Sequence, residues 1–203
     1  MTPLKILVVF LHEFSHAAAT VMTGGEVVSL SVNPSQGGMV WSRGGNRFLT
    51  LTAGYLGSLL IGVGLLMTAL RTSADRVVVA GLGVLTLVVA ALYIRSGFTL
   101  SFAVATGAGM LIIAYKFGHG INDLLLRVIG LSSMIYVPYD IFSDTIARSS
   151  ERSDAYMLAA EFGGATVLWG GLWLIVSLGV IGLCLRYGLG RDSNIALRIP
   201  KRA

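Results

Sequence analysis

The sequence predicts an all-α polytopic membrane protein with about six transmembrane helices and a small β-hairpin between the first two. Two observations carry this prediction. Hydrophobic residues make up 55% of the 203 residues and charged residues only 12%, whereas globular proteins carry about 25% charged residues. The mean hydropathy is +0.79, and the apolar residues fall in runs of roughly 20, the length that crosses a bilayer. We therefore interpret residues 1–203 as a single membrane-embedded domain.

The apolar runs set the order of the predicted elements. We expect spans at Pro3 to Met22, Leu49 to Leu70, Val77 to Ile94, Phe98 to Tyr115, Leu124 to Ala147 and Ala165 to Arg186. Between the first two spans, residues 26–43 show short alternating runs on either side of a turn rich in Asn, Pro and Gly, which is typical of a β-hairpin. Open strand edges are unstable against lipid, so we expect this hairpin at the interface or in a protein-lined cavity.

The basic residues predict the orientation in the membrane. An even number of spans places both termini on one side, here called the terminal side. The Lys and Arg residues of the terminal side are Lys5, Arg71, Arg76, Lys116, Arg127, Arg186, Arg191, Arg198, Lys201 and Arg202, and those of the other side are Arg43, Arg47, Arg95, Arg148 and Arg152. The excess on the terminal side favours both termini in the cytoplasm. We expect the basic tail, residues 187–203, to contact anionic lipid headgroups and not nucleic acid.

The most informative motif is HEFSH, residues 12–16, inside the first span. On a helix, His12 and His16 lie on one face, so both imidazoles can reach one zinc ion. Glu13 can then take a proton from a water molecule at the metal and pass it to a leaving amine. The alternative is a pair of interior histidines that hydrogen-bond within the bundle, with Glu13 as their partner. A charged group at the bilayer centre costs roughly 2.5 to 3.5 kcal/mol, which favours the metal site.

A catalytic zinc ion needs a third protein ligand and an open position. The chain has one cysteine, and the remaining histidine, His119, follows Gly118 in a connection where we expect an interfacial loop residue. Asp140 and Asp144 share a helix face near the end of the fifth span. Asp140 lies about as far along its span as the two histidines lie along theirs, and we favour it as third ligand. Asp144 is then a hydrogen-bond partner of the ligands or an alternative ligand.

The two aspartates also permit a purely structural interpretation. Arg148 and Arg152 follow them closely, and charges spaced three or four residues apart pair on a helix surface. Both aspartates would then belong to a charge cluster at the end of the helix.

Several ordered segments resemble the site-2-protease-type membrane zinc metallopeptidases, in particular the B-like branch of the peptidase family numbered fifty. These segments are HEFSHA (12–17), TGGEVVSLSVNPSQGG (23–38), AGYLGS (53–58), YDIFSDT (139–145), SDA (153–155) and the tryptophans Trp169 and Trp173. The resemblance covers nearly the whole chain. It implies an intramembrane metallopeptidase with one zinc ion per chain held by His12, His16 and Asp140, and with Glu13 as general base. The implied partners are membrane lipid and a membrane protein or peptide substrate.

The resemblance also extends to the hairpin, which is similar to the family's β-element beside the zinc ion. An open strand edge there could hold an unwound substrate segment by strand addition, or the hairpin could simply plug the mouth of the cavity. Trp169 and Trp173 are expected to anchor the last span at the membrane interface.

Two other functions compete with proteolysis. A catalytically silent membrane scaffold could bind a client helix in the same groove, which requires the fold but not the metal. A metal or ion transporter would need ionisable residues in several spans, and the interiors of the second, third, fourth and sixth spans carry no charged residue.

Overall fold

The computed structural model describes residues 2–188 of the chain. Its elements are α1 (Thr2–Met22), β1 (Glu26–Val32), β2 (Gly38–Arg43), α2 (Arg47–Arg71), α3 (Asp75–Tyr93), α4 (Gly97–Lys116), α5 (His119–Ile141), a π-helical segment (Phe142–Ala147), α6 (Asp154–Phe162) and α7 (Thr166–Gly188). Among the described residues, six helices are long and apolar enough to cross a membrane: α1 to α4, α5 with its π-helical segment, and α7. The two strands form an antiparallel hairpin between α1 and α2. The predicted fold class is confirmed, while residues 189–203 of the predicted basic tail lie outside the described residues.

The fifth span begins earlier than predicted. Hydropathy placed its start at Leu124, because the preceding residues are polar, yet α5 begins at His119. The Asn122 side chain donates to the carbonyl groups of Phe117 and Gly118 at 3.2 and 3.0 Å and ties the first turn to the preceding connection. The prediction of a loop position for His119 is therefore wrong.

The end of the fifth span departs from regular α-helix. Pro138 lacks an N–H group and cannot donate to the preceding turn. The helix continues past it and widens into π-helical turns over Phe142–Ala147, a distortion that is frequent at functional sites. The chain then reaches α6, a nine-residue helix that no apolar run predicts. Ser153 caps this helix by accepting a hydrogen bond from the backbone N–H of Tyr156 at 3.3 Å.

Glycines allow the central helices to approach closely, as is common in membrane bundles. A Cβ atom added at Gly57 of α2 would lie 2.7 Å from the Cβ of Ser15 on α1. A Cβ atom added at Gly130 of α5 would lie 2.7 Å from the carbonyl oxygen of Gly62 on α2. Helix α2 therefore packs through its small residues against both α1 and α5.

The two tryptophans of α7 occupy different environments. Trp173 is only 4% exposed, and its ring centroid lies 5.6 Å from that of Tyr55 on α2. The prediction that Trp173 serves as an interfacial anchor is wrong, since its side chain packs inside the bundle. Trp169, one turn earlier, donates from its indole N–H to the carbonyl of Gly163 at 3.0 Å, in the connection between α6 and α7.

Candidate metal centre

Helix α1 brings the two histidines of the motif to one point. The Nε2 atoms of His12 and His16 lie 3.0 Å apart. Both also contact Oδ2 of Asp154, at 3.0 Å from His12 and 3.1 Å from His16. Within residues 2–188, these three side chains are the one group of at least three His, Cys, Asp or Glu residues whose ligand atoms all lie within 4.8 Å of one another.

The surroundings orient His16 for metal binding. Its Nδ1 atom lies 2.7 Å from the backbone carbonyl of Thr50. A carbonyl oxygen can only accept, so Nδ1 donates to it, and Nε2 is left as the ring nitrogen that can bind a metal ion. A hydrogen bond of this kind from the second ring nitrogen commonly fixes metal-binding histidines.

Gly54 of α2 leaves room for both imidazoles. A Cβ atom added there would lie 2.5 Å from Cε1 and Nε2 of His16 and 2.6 Å from Cε1 of His12. The rings therefore pack directly against the helix backbone, at a distance that only glycine permits.

Asp154 is the first residue of α6, directly after the capping residue Ser153. Its side chain is only 10% exposed. Burial raises the pKa of the carboxyl group, but the adjacent imidazoles of His16 and His12 outweigh this effect, and the pKa lies well below its usual value. Asp154 is therefore a carboxylate anion that faces two imidazole nitrogens and can offer an oxygen to a metal ion.

The three side chains suit a zinc ion. Ligands at 2.0 to 2.1 Å from a tetrahedral zinc ion lie about 3.3 Å apart, close to the separations found here. Two histidines and one carboxylate also match the donor types of catalytic zinc sites, which keep a fourth position open.

Glu13 lies beside this group and against the hairpin. It is 5% exposed, and a Cβ atom added at Gly38, the first residue of β2, would lie 2.7 Å from its Cδ. Strand β1 is fastened to α4, because the hydroxyl of Thr99 accepts from the N–H of Val32 at 3.0 Å and donates to its carbonyl at 2.8 Å. Strand β2 lines the cavity. Both predicted roles of the hairpin, strand addition to a substrate and closure of the cavity mouth, stay predictions.

The structure does not bring Asp140 to the two histidines. Its Oδ1 lies 3.4 Å from the ammonium group of Lys5 on α1, and it is not among the three residues whose ligand atoms converge. The carboxylate that lies beside the two histidines is instead that of Asp154, from the short helix α6, while Asp140 as third ligand stays a prediction.

Asp144 occupies a position beside the histidines. The hydroxyl of Tyr55 donates to its Oδ2 at 3.1 Å, and the ring of Tyr55 packs edge-on against His12 with the centroids 4.5 Å apart. Asp144 also pairs with Arg148. The pair with Arg148 is the part of the charge-cluster interpretation that the structure contains, while the contact with Tyr55 links Asp144 to His12.

The sequence analysis did not place Asp154 with the two histidines, although the chain around it carries a helix-start signal. The SDA segment belongs to the family resemblance, and a serine followed by an acidic residue and an apolar run indicates a helix start. This signal places Asp154 at the start of a short helix, where its carboxylate is a candidate ligand.

The metal centre lines a cavity of about 860 Å³. Its walls include His12, Glu13, His16 and Asp154 together with β2, while Lys5 and Asp140 line a further part. Arg47 and Arg148, which are about half exposed, also border it. The cavity therefore extends from His12 and His16 to charged groups at the protein surface.

Two histidines on a membrane-spanning helix and a carboxylate from α6 form the arrangement expected of a membrane metallopeptidase of the site-2-protease kind. A family model described as peptidase M50B-like matches residues 1–184, and the chain belongs to this family. No curated protein and no solved structure gave a significant match to the chain. Family membership and six apolar helices together make it an integral, multi-pass membrane protein in a lipid environment.

Proposed function

We propose that the protein is an intramembrane zinc metalloprotease that hydrolyses peptide bonds of membrane-associated substrates. One zinc ion per chain would be held by His12, His16 and Asp154. The observation that supports this function is the convergence of three ligand atoms within 4.8 Å of one another, with Glu13 buried beside them. A catalytically silent scaffold has no need of this combination, since it requires neither the ligands nor a costly buried carboxylate.

Each residue has a distinct part in the proposed reaction. Zinc, when bound, supplies a Lewis acid and lowers the pKa of water to about 7. Glu13 takes a proton from the attacking water and delivers it to the leaving amide nitrogen. The carbonyl of Thr50 keeps His16 in the tautomer that presents Nε2 to the centre.

The identity of the third ligand can be tested by metal content. We expect about one zinc ion per chain in the wild type, and zinc affinity at least about 100-fold lower in Asp154→Ala, because a ligand is lost and not only its support. Asp140→Ala and Asp144→Ala should keep the zinc ion. The measurement is elemental analysis of protein purified in detergent under metal-replete conditions, with His16→Ala as positive control.

The outcomes separate the competing assignments. Loss of zinc in Asp140→Ala but not in Asp154→Ala would identify Asp140 as the third ligand, as the sequence analysis favoured. A wild type that binds no zinc would overturn the metalloprotease and favour the scaffold.

We further propose that both termini face the cytoplasm, as the distribution of Lys and Arg favours. Ser73, between α2 and α3, is then cytoplasmic, while Ser35, in the hairpin turn, faces the other side; both are exposed. In a Cys184→Ser background, a membrane-impermeant maleimide applied to intact cells should label Ser35→Cys and should label Ser73→Cys only after lysis. The reverse pattern would invert the topology.

A further inference from the structure

Lys5 and Asp140 form an ion pair that the proposed chemistry does not use. Lys5 lies in the first turn of α1 and Asp140 near the end of α5, and Nζ lies 3.4 Å from Oδ1. Each side chain is 20% exposed, and both line the cavity that holds the metal ligands. Ionisable residues inside membrane-spanning helices are costly, so a pair that faces a cavity points to a function.

Two tyrosines hold the ammonium group in place. Nζ of Lys5 lies 5.6 Å from the ring centroid of Tyr136 and 5.3 Å from that of Tyr139. Such cation–π contacts stabilise the ammonium where it is removed from bulk water. The position of the charge is therefore set by α5, independently of the metal ligands.

The pair keeps unused hydrogen-bonding capacity. An ammonium group has three N–H donors and a carboxylate has two acceptor oxygens. The contact of 3.4 Å is longer than the 2.7 to 2.9 Å of a close charge-assisted hydrogen bond. The ammonium group of Lys5 can thus still donate, and the carboxylate of Asp140 can still accept, a hydrogen bond from a ligand in the cavity.

An amide group is the chemical complement of this arrangement. Its carbonyl can accept from Lys5 while its N–H donates to Asp140. A ligand carboxylate would be repelled by Asp140, and a ligand ammonium by Lys5. An apolar side chain would desolvate both groups without pairing them, which is unfavourable.

The distance along α1 places this position relative to the scissile bond. Lys5 precedes His12 by seven residues, about 10 Å at 1.5 Å per residue. An extended peptide covers about 10 Å in three residues.

We propose that Lys5 and Asp140 form a substrate subsite for an amide group about three residues from the scissile bond. The amide is either the side chain of Asn or Gln or a backbone amide of the unwound substrate. This inference rests on the proposed function, because the register is counted from the metal centre.

The test uses probes that are anchored on the metal. Tripeptides that carry a hydroxamate would have Leu, Asn or N-methyl-leucine at the third residue, in two series with the peptide on either side of the hydroxamate. Their affinities for the zinc-loaded full chain in detergent are measured by isothermal titration calorimetry. In at least one series we expect Asn to bind about tenfold more tightly than Leu, or Leu about tenfold more tightly than N-methyl-leucine.

Variants assign the effect to the pair. The preference should disappear in Lys5→Met and in Asp140→Asn, while all three probes still bind through the hydroxamate, which shows that the variants are folded. Lys116→Met, the same substitution at an exposed residue at the end of α4, should retain the preference.

Each outcome has one meaning. A preference for Asn supports a side-chain amide, and a penalty for N-methylation alone supports a backbone amide. Equal affinities of all three probes in both series, or a preference that survives Lys5→Met, would overturn the subsite while leaving the metalloprotease intact. Failure of every probe to bind zinc-loaded protein would overturn both.

Discussion

Glu13→Gln is expected to lower peptide hydrolysis by about 10² to 10⁴-fold, the usual contribution of a general base. Glutamine keeps the shape of the side chain but cannot take the proton. Zinc content should remain about one ion per chain, because Glu13 is not among the three residues whose ligand atoms converge. The measurement is cleavage of a mixed peptide library in detergent micelles, read by mass spectrometry, together with elemental analysis.

Glu161→Gln provides the matched control. Glu161 lies on α6, pairs with Arg47 at 3.2 Å and is 47% exposed, so the same substitution there should leave hydrolysis unchanged. If Glu13→Gln lost its zinc, Glu13 would hold the centre together and the loss of activity would say nothing about proton transfer. If it kept full activity, another residue would have to act as base.

The membrane-spanning helices and the local half of the site were predictable from the sequence. Runs of about 20 apolar residues identify spans without any tertiary information. His12, Glu13 and His16 lie within one helical turn of each other, so helix geometry alone places them on neighbouring positions. The N-terminus of α5 was missed because its first turn is polar and is held by the side chain of Asn122.

The position of Asp154 beside the two histidines depends on contacts that no local sequence pattern contains. His12 and Asp154 are 142 residues apart in sequence, and α6 has only nine residues, well below the length that hydropathy detects. The predicted depth of Asp140 in the membrane favoured it as a ligand, but depth does not reveal which partner a carboxylate finds. Lys5 lies close enough to pair with Asp140, which leaves the histidines to Asp154.

The role of Gly54 illustrates the same limit. A glycine-rich second span predicts close helix packing, and Gly57 and Gly62 conform to this by contacting α1 and α5. The sequence does not indicate that one of these glycines faces the metal ligands themselves. That assignment requires the positions of both imidazole rings.

Gly54→Ala is expected to lower zinc affinity by about 100-fold, the upper end of effects from residues around metal ligands. The new methyl group would lie 2.5 Å from Nε2 of His16, the ligand atom itself, and 2.6 Å from Cε1 of His12. Neither ring can move away freely, because His16 donates a hydrogen bond to the carbonyl of Thr50 and His12 packs against Tyr55. Zinc affinity is measured by competition with a chromogenic chelator.

Gly64→Ala separates this steric effect from the general consequence of adding a methyl group to α2. Nothing lies within 4 Å of a Cβ atom at Gly64, and alanine favours a helix over glycine by about 1 kcal/mol. Zinc affinity should therefore stay at the wild-type value and thermal stability should not fall. Overpacking at Gly54 costs typically 1 to 3 kcal/mol, so thermal unfolding of the metal-free Gly54→Ala protein shows whether the fold survives. Wild-type zinc affinity in a folded Gly54→Ala protein would mean that the two histidine rings do not pack against α2 as closely as described here.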